Sequence, residues 1–241
     1  MSFKIKHNEK PEMKLPKFSV DGELHNKLNK YELTKLINKH TFSLILGKAG
    51  QGKSSLEIGL LQTPSLLKNV YHNILLFCPP NSRASISNDF WSKSLPDEQI
   101  FDEISLDTLQ HAYDVAQENA TEGYKTLIIM DDCQKYLKDN EIQKLLLHMV
   151  NNRRHAQLSI HLLCQNYFSI PKQVRLALTN IFVFKVSKPE IHNIFEEQIE
   201  LEPVLFTKIL NIAYKTKHDF IFIDCNSRRI FVNFDEVIFD S

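Results

Sequence analysis

Apolar residues in this 241-residue chain gather in short unbroken runs separated by stretches of helical spacing. The runs TFSLIL (41–46), NILLFC (73–78), TLIIM (126–130), SIHLLC (159–164) and NIFVFKV (180–186) are rich in β-branched, leucine and aromatic residues. Each is short enough for a strand, and Pro79-Pro80 closes the second one firmly. Between runs, 139–152 places Ile142, Leu145, Leu146 and Met149 on one helical face. Continuous apolar strands alternating with helices predict an α/β fold with a mainly parallel central sheet flanked by helices.

The two ends read differently. Pro11 and Pro16 interrupt residues 1–22, which predicts an irregular or partly extended arm. A helix then fits GELHNKLNKYELTKLINKH, with Leu24, Leu28, Tyr31 and Leu36 near helical spacing and Asp21 as a cap. Near the other end, DFIFID and RRIFVNF flank Cys225-Asn226-Ser227 and predict a small C-terminal β-hairpin. Residues 81–106 are the least regular part, a loop or an insertion. The expected organisation is an N-terminal arm and helix over 1–39 and a core with its hairpin over 40–241.

Composition narrows the class without naming a task. Lys+Arg and Asp+Glu both number 29, so no bulk basic field points to nucleic acid, although a local patch fits inside a balanced total. No apolar run approaches the 18 residues or so of a membrane span, and the first residues are too polar for a secretory signal. The four cysteines lie far apart with no CxxC pair, which predicts free thiols rather than a zinc site. His155 and His161 show no metal-ligand spacing and read as packing or surface residues.

The chemistry begins after the first run. Gly47-Lys48-Ala49-Gly50-Gln51-Gly52-Lys53-Ser54 matches GxxxxGK[ST] in full, with a strand before it and a helix after it. Three of the six glycines fall in this one turn, which weakens a chance match. Such a loop wraps backbone N–H groups around phosphate oxygens, and the following helix aims its positive end at the same anion. Gly47 to Ser55 is the expected ATP-binding stretch. Within it, Lys53 is placed to reach the terminal phosphates and Ser54 to ligate Mg²⁺.

A second strand must then end in a carboxylate to hold the metal. KTLIIMDDC supplies Asp131 for that role and Asp132 to polarise an attacking water. Neighbouring side chains on a strand face opposite ways, so both serve only if the strand has ended there. Otherwise Asp132 caps the next turn or faces solvent. Gln165 closes another apolar run, at the edge where ligands sit in open α/β sheets, and an amide there can sense phosphate or orient water. Arg153 and Arg154 precede that run and Arg175 follows it. One of them suits an arginine finger inserted into a neighbouring subunit, and each alone also suits a surface charge.

The succession LILGKAGQGKSS, LIIMDDC, RRHAQLSIHLLCQ, IPKQVRLALTNIFVFK and DFIFIDCNSRRIFVNFDEVI resembles the FtsK–HerA superfamily over roughly residues 40–238. More narrowly, it resembles the genome-packaging ATPases of poxviruses, other large nucleocytoplasmic DNA viruses and virophages, with a length most similar to the virophage type. The resemblance implies a P-loop NTPase fold and an ATP-driven translocase that moves double-stranded DNA, without reading its sequence, into a preformed capsid. It implies a homo-oligomeric ring acting at a capsid portal or vertex, at the assembly site in the host cytoplasm. Carried over by position, Lys53, Asp132, Gln165 and Arg154 are the catalytic set, with Arg153 nearly as good as Arg154. Ser54 and Asp131 are the metal side. Many members of the superfamily carry Glu where this chain has Asp132. Arg83, Lys93 and Lys172 are candidate DNA contacts. A P-loop small-molecule kinase, a non-motor nucleotide switch and a ring helicase are the competing readings.

Overall fold

The computed structural model describes residues 3–6, 36–37, 40–84 and 90–239. Most of the N-terminal arm and of the helix expected over residues 22–40 lies outside the described residues; within that stretch Leu36 and Ile37 are helical.

In chain order the first elements are β1 (Phe3–Lys6), β2 (Phe42–Leu46), α1 (Lys53–Gln62), β3 (Asn73–Phe77), α2 (Pro80–Ala84) and α3 (Phe90–Ser94). There follow β4 (Ile100–Phe101), α4 (Leu106–Thr121), β5 (Thr126–Asp131), α5 (Asn140–Asn152), β6 (Leu158–Cys164) and α6 (Lys172–Leu176). The chain ends with β7 (Asn180–Val183), α7 (Lys188–Gln198), α8 (Pro203–Ala213), β8 (Ile221–Asp224), β9 (Arg229–Val232) and β10 (Asp235–Phe239). They form two compact units. One takes the described residues of Met1–Lys39 with Leu46–Val70 and Thr179–Ser241; the other takes His40–Ile45 and Tyr71–Leu178.

The unit from Tyr71 to Leu178 holds strands in the order β2-β6-β5-β3-β4, and the pairs β5/β6, β3/β5 and β3/β4 are parallel. Every residue of β2, β5 and β6 is buried, which is why these strands read as continuous apolar runs rather than alternating ones. Two amphipathic helices cover them. Ser105 caps α4 by accepting from the Thr108 amide at 3.1 Å, while the Thr108 hydroxyl accepts from the Ser105 amide at 2.9 Å. Leu109, Ala112, Tyr113 and Ala116 then face inward at 3–4-residue spacing. Asp139 caps α5 through the amides of Glu141 (2.8 Å) and Ile142 (3.1 Å), and Ile142, Leu146, Met149 and Val150 are buried. The irregular stretch after Pro80 contains α2, α3 and the edge strand β4, whose Phe101 stacks on Phe77 at 4.7 Å between ring centres.

The other unit holds an antiparallel array in the order β1-β10-β9-β8-β7. The expected hairpin is β8 and β9, and it is the middle of a larger sheet. Over residues 235–238 burial alternates, with Val237 buried and Ile238 exposed, so the segment reads weakly as an apolar run but pairs readily as a strand. Phe182, Phe222 and Phe231 lie in register across three strands, with ring centres 4.7 and 5.6 Å apart. This cross-strand aromatic packing is the physical role of the phenylalanine-rich C-terminal third. Among the described residues no helix is long and apolar enough to cross a membrane.

All four cysteines are free, and Cys78, Cys133 and Cys164 are buried. Burial, assisted by the charge of Asp131, pushes the Cys78 thiol up to about 12. Burial, then Asp224, does the same to Cys225. Cys133 is raised further still, chiefly by burial. A thiolate is the reactive form, so the native protein at pH 8 is expected to resist a colorimetric thiol reagent. All four thiols should react once guanidinium unfolds the chain, and rapid labelling of the native protein would contradict this burial.

Candidate functional site

Strand β2 stays buried to its last residue, and the chain leaves it at Gly47, which is itself buried. Space demands glycine there: an added Cβ would lie 2.9 Å from Phe184 Cβ and 2.9 Å from Gln51 Oε1. Gly50 (φ 71°) and Gly52 (φ 105°) occupy the left-handed region that L side chains avoid. Gln51 fixes the turn from within. Its Oε1 accepts from the Lys48 amide at 2.6 Å, and its Nε2 donates to the Lys185 carbonyl at 2.8 Å. His218 closes the outer side, with Nδ1 3.0 Å from the Gln51 carbonyl. A carbonyl oxygen only accepts, so the proton sits on Nδ1.

Helix α1 begins at Lys53 with no side-chain cap from Gly52. Its first amides therefore form an uncapped positive end suited to an anion. Lys53 is only 7% exposed; Ser54 is half-buried, and Lys48, Ala49, Gly50 and Ser55 are exposed. These features fit a polyphosphate: two left-handed glycines, an uncapped helix start, and one buried ammonium. Among the described residues, the atom near a would-be Cβ on Gly50 is Lys217 Nζ at 4.0 Å.

In the Tyr71–Leu178 unit, a second set of polar groups collects where the parallel strands end. Asp131 is the last residue of β5, opposite Leu163 of β6, and is 3% exposed. The strand ends there. Asp132 turns into the left-handed region (φ 55°) while its amide still donates to the Leu163 carbonyl at 3.2 Å. That turn takes its carboxylate out of strand alternation and into a clasp. Oδ1 accepts from Gln165 Nε2 at 2.9 Å, and Oδ2 accepts from Ser82 Oγ at 3.1 Å. Gln165 directly follows β6, and Ser82 sits in α2, just beyond β3. Ser82 escaped sequence reasoning because the preceding Pro79-Pro80 marked only the stop of a strand.

The arginines separate clearly. Arg153 Nε donates to the His40 carbonyl at 2.7 Å and Nη1 to the Val150 carbonyl at 2.7 Å, so it ties α5 to the start of β2. Arg175 is 9% exposed, donates to the Ile170 carbonyl at 2.8 Å, and lies 4.8 Å from the Tyr167 ring centre. Arg154 is exposed, in the turn before β6, and no hydrogen bond or ion pair among the described residues engages its guanidinium. The whole of β6, about 23 Å for seven residues, separates it from Gln165. Arg154 and Gln165 therefore occupy opposite ends of one strand. Of the candidate DNA contacts, Arg83 pairs with Asp102 at 3.0 Å, while Lys93 and Lys172 are exposed.

The family model described as Poxvirus A32 protein matches residues 28–237. No curated protein matches the chain. Among solved structures, the genome packaging NTPase B204 from Sulfolobus turreted icosahedral virus 2, in complex with ATP-gammaS, is similar at 16% identity and a TM-score of 0.61. That match covers 82% of this chain and 98% of the other. B204, the DNA-packaging ATPase from Sulfolobus turreted icosahedral virus, gives 16% identity and a TM-score of 0.58 over the same shares. EssC (ATPases 2 and 3) from Geobacillus thermodenitrificans gives 12% and 0.51, over 83% of this chain and 39% of that one. At these identities the likeness is one of fold, and the fold is that of the P-loop NTPases.

The packing at Gly47 carries a direct test. Gly47→Ala forces a methyl group against Phe184 and Gln51, so it should destabilise the protein by about 1–3 kcal/mol in denaturant unfolding. An unchanged midpoint would show that the loop does not rest on Phe184 as described.

Proposed function

The chain belongs to the poxvirus A32 protein family, and we propose that it is an ATP-hydrolysing motor that packages double-stranded DNA into a preformed viral capsid. The observation that carries this reading is the clasp on Asp132. A nucleotide store needs phosphate ligands only, whereas a carboxylate held by Gln165 and Ser82 beside Asp131 is equipped to act on water.

In this reading the Gly47–Ser55 loop binds the phosphates of ATP, with the Lys53 ammonium on the terminal pair. Ser54 and Asp131 would hold Mg²⁺, which when bound neutralises phosphate charge. Asp132 accepts a proton from water as the water oxygen bonds to the γ-phosphorus and the bond to the β–γ bridging oxygen breaks. Gln165 orients that carboxylate through its amide N–H. ADP and inorganic phosphate leave.

Arg154 supports a ring of identical subunits. It is exposed, unengaged among the described residues, and too far along β6 to serve the Asp132 edge of its own chain, so it would serve a neighbour's. Grip on DNA falls to exposed lysines such as Lys93 and Lys172, which contact phosphate and carry no sequence information. Arg83 is held by Asp102 and is a poor candidate. The same pairing disfavours a small-molecule kinase, since Arg83 is the lone arginine between 79 and 106 where a cationic lid would be sought. Work at a capsid vertex, in the cytoplasmic assembly site, completes the proposal.

Long double-stranded DNA of any sequence should raise ATP turnover several-fold. Asp132→Asn should lower it about 100-fold or more while ATP still binds. Arg154→Ala and Lys53→Ala subunits, each inactive alone, should recover hydrolysis when mixed, because each supplies what its neighbour lacks. Turnover insensitive to DNA would contradict the motor, and mixed rings without recovery would remove Arg154 from its role.

A further inference from the structure

The unit that carries the phosphate loop also carries a turn built against it. After α8, Tyr214 Oη donates to the Val183 carbonyl at 3.1 Å, which fixes where the turn begins. The Thr216 amide donates to Asp219 Oδ2 at 2.6 Å, and Asn233 Nδ2 donates to Asp219 Oδ1 at 3.2 Å. Asn233 Oδ1 in turn accepts from the Phe220 amide at 3.0 Å. Burial raises the Asp219 carboxyl, but the N–H donors of Thr216 and Asn233 outweigh it and leave the group below the ordinary carboxylate value. The turn is thus anchored to the β9–β10 connection rather than left loose.

Its crest faces the loop. His218 Nδ1 donates to the carbonyl of Gln51, 167 residues away in the chain, and stands 3.2 Å from where a Cβ on Gly52 would lie. Lys217 Nζ stands 4.0 Å from the Cβ position of Gly50. Lys217 is exposed, and no hydrogen bond or ion pair among the described residues engages its ammonium. A bound di- or triphosphate carries several negative charges, while the loop offers the buried Lys53 ammonium, the exposed Lys48 and a helix end worth about half a charge. An ammonium within about 8 Å of that anion, the Debye length at physiological salt, is only partly screened from it.

We propose that Lys217 is a further cation of the phosphate cradle, from outside the loop, held over it by the His218–Gln51 hydrogen bond, and that it meets the polyphosphate of a nucleoside di- or triphosphate. This rests on the nucleotide-binding reading of the Gly47–Ser55 loop. His218 acts through Gln51 and is a positioning residue, whereas Lys217 would touch the ligand.

Calorimetric titration of ATP, ADP and inorganic tripolyphosphate, with Mg²⁺ at fixed ionic strength, tests the assignment on wild type, Lys217→Ala, Lys217→Arg and Lys53→Ala. Lys217→Ala should weaken all three ligands about threefold to tenfold, and Lys217→Arg should keep most of the affinity. Tripolyphosphate binding unchanged in Lys217→Ala overturns the proposal. So does a loss confined to ATP and ADP, which would place Lys217 on the nucleoside instead. Weakened binding in Lys53→Ala with none in Lys217→Ala removes Lys217 and leaves the nucleotide site standing. Unchanged binding in both variants means that the nucleotide reading itself has failed.

Discussion

A carboxylate is costly inside a strand buried on both faces, and that constraint sets where the acidic groups of the Tyr71–Leu178 unit stand. The six residues of β5 are all buried, so its carboxylates stand at the terminus, where the backbone can turn away. Asp132 makes that turn by taking a left-handed conformation, which costs about 1 kcal/mol or more for a non-glycine residue. The two hydrogen bonds from Gln165 and Ser82 hold the carboxylate in that position. Each donor comes from just beyond a strand that neighbours β5, so the parallel order of β3, β5 and β6 assembles the clasp.

The phosphate loop obeys a different constraint, that of close approach. Gly47 is glycine because Phe184 lies against it, while Gly50 and Gly52 are glycine because of their backbone angles. Phe184 also donates its amide to the Leu46 carbonyl at 2.8 Å, so the segment after β7 buttresses the loop through backbone and ring together. Gln51 uses both ends of its amide to join that support, and His218 adds a third point. The cradle is rigid through contacts far away in sequence, which is the condition for holding an anion without reorganisation.

Much of this architecture is legible in the chain. The strands at 42–46, 73–77, 126–131, 158–164 and 180–183 fall on the apolar runs to within a few residues, because uninterrupted burial leaves an uninterrupted pattern. The antiparallel array is legible only in part, since residues 235–238 of β10 alternate burial and include Asp235 and Glu236. Long-range pairing is what sequence pattern leaves silent. Ser82 meets Asp132 across 50 residues and Gln165 meets it across 33, and no local periodicity encodes either distance. In the sequence Arg153 is nearly as good a candidate as Arg154. Hydrogen bonds to the His40 and Val150 carbonyls separate them, committing Arg153 to the fold and leaving Arg154 exposed.

The proposed function requires Asp132, which directly follows β5, to drive movement along DNA rather than turnover alone. Displacement of a triplex-forming strand from linear duplex DNA measures that movement directly. Wild type should strip the third strand in an ATP-dependent manner, and Asp132→Asn, still binding nucleotide, should leave it in place. Rings that hydrolyse ATP on duplex DNA yet never displace the strand would contradict the account.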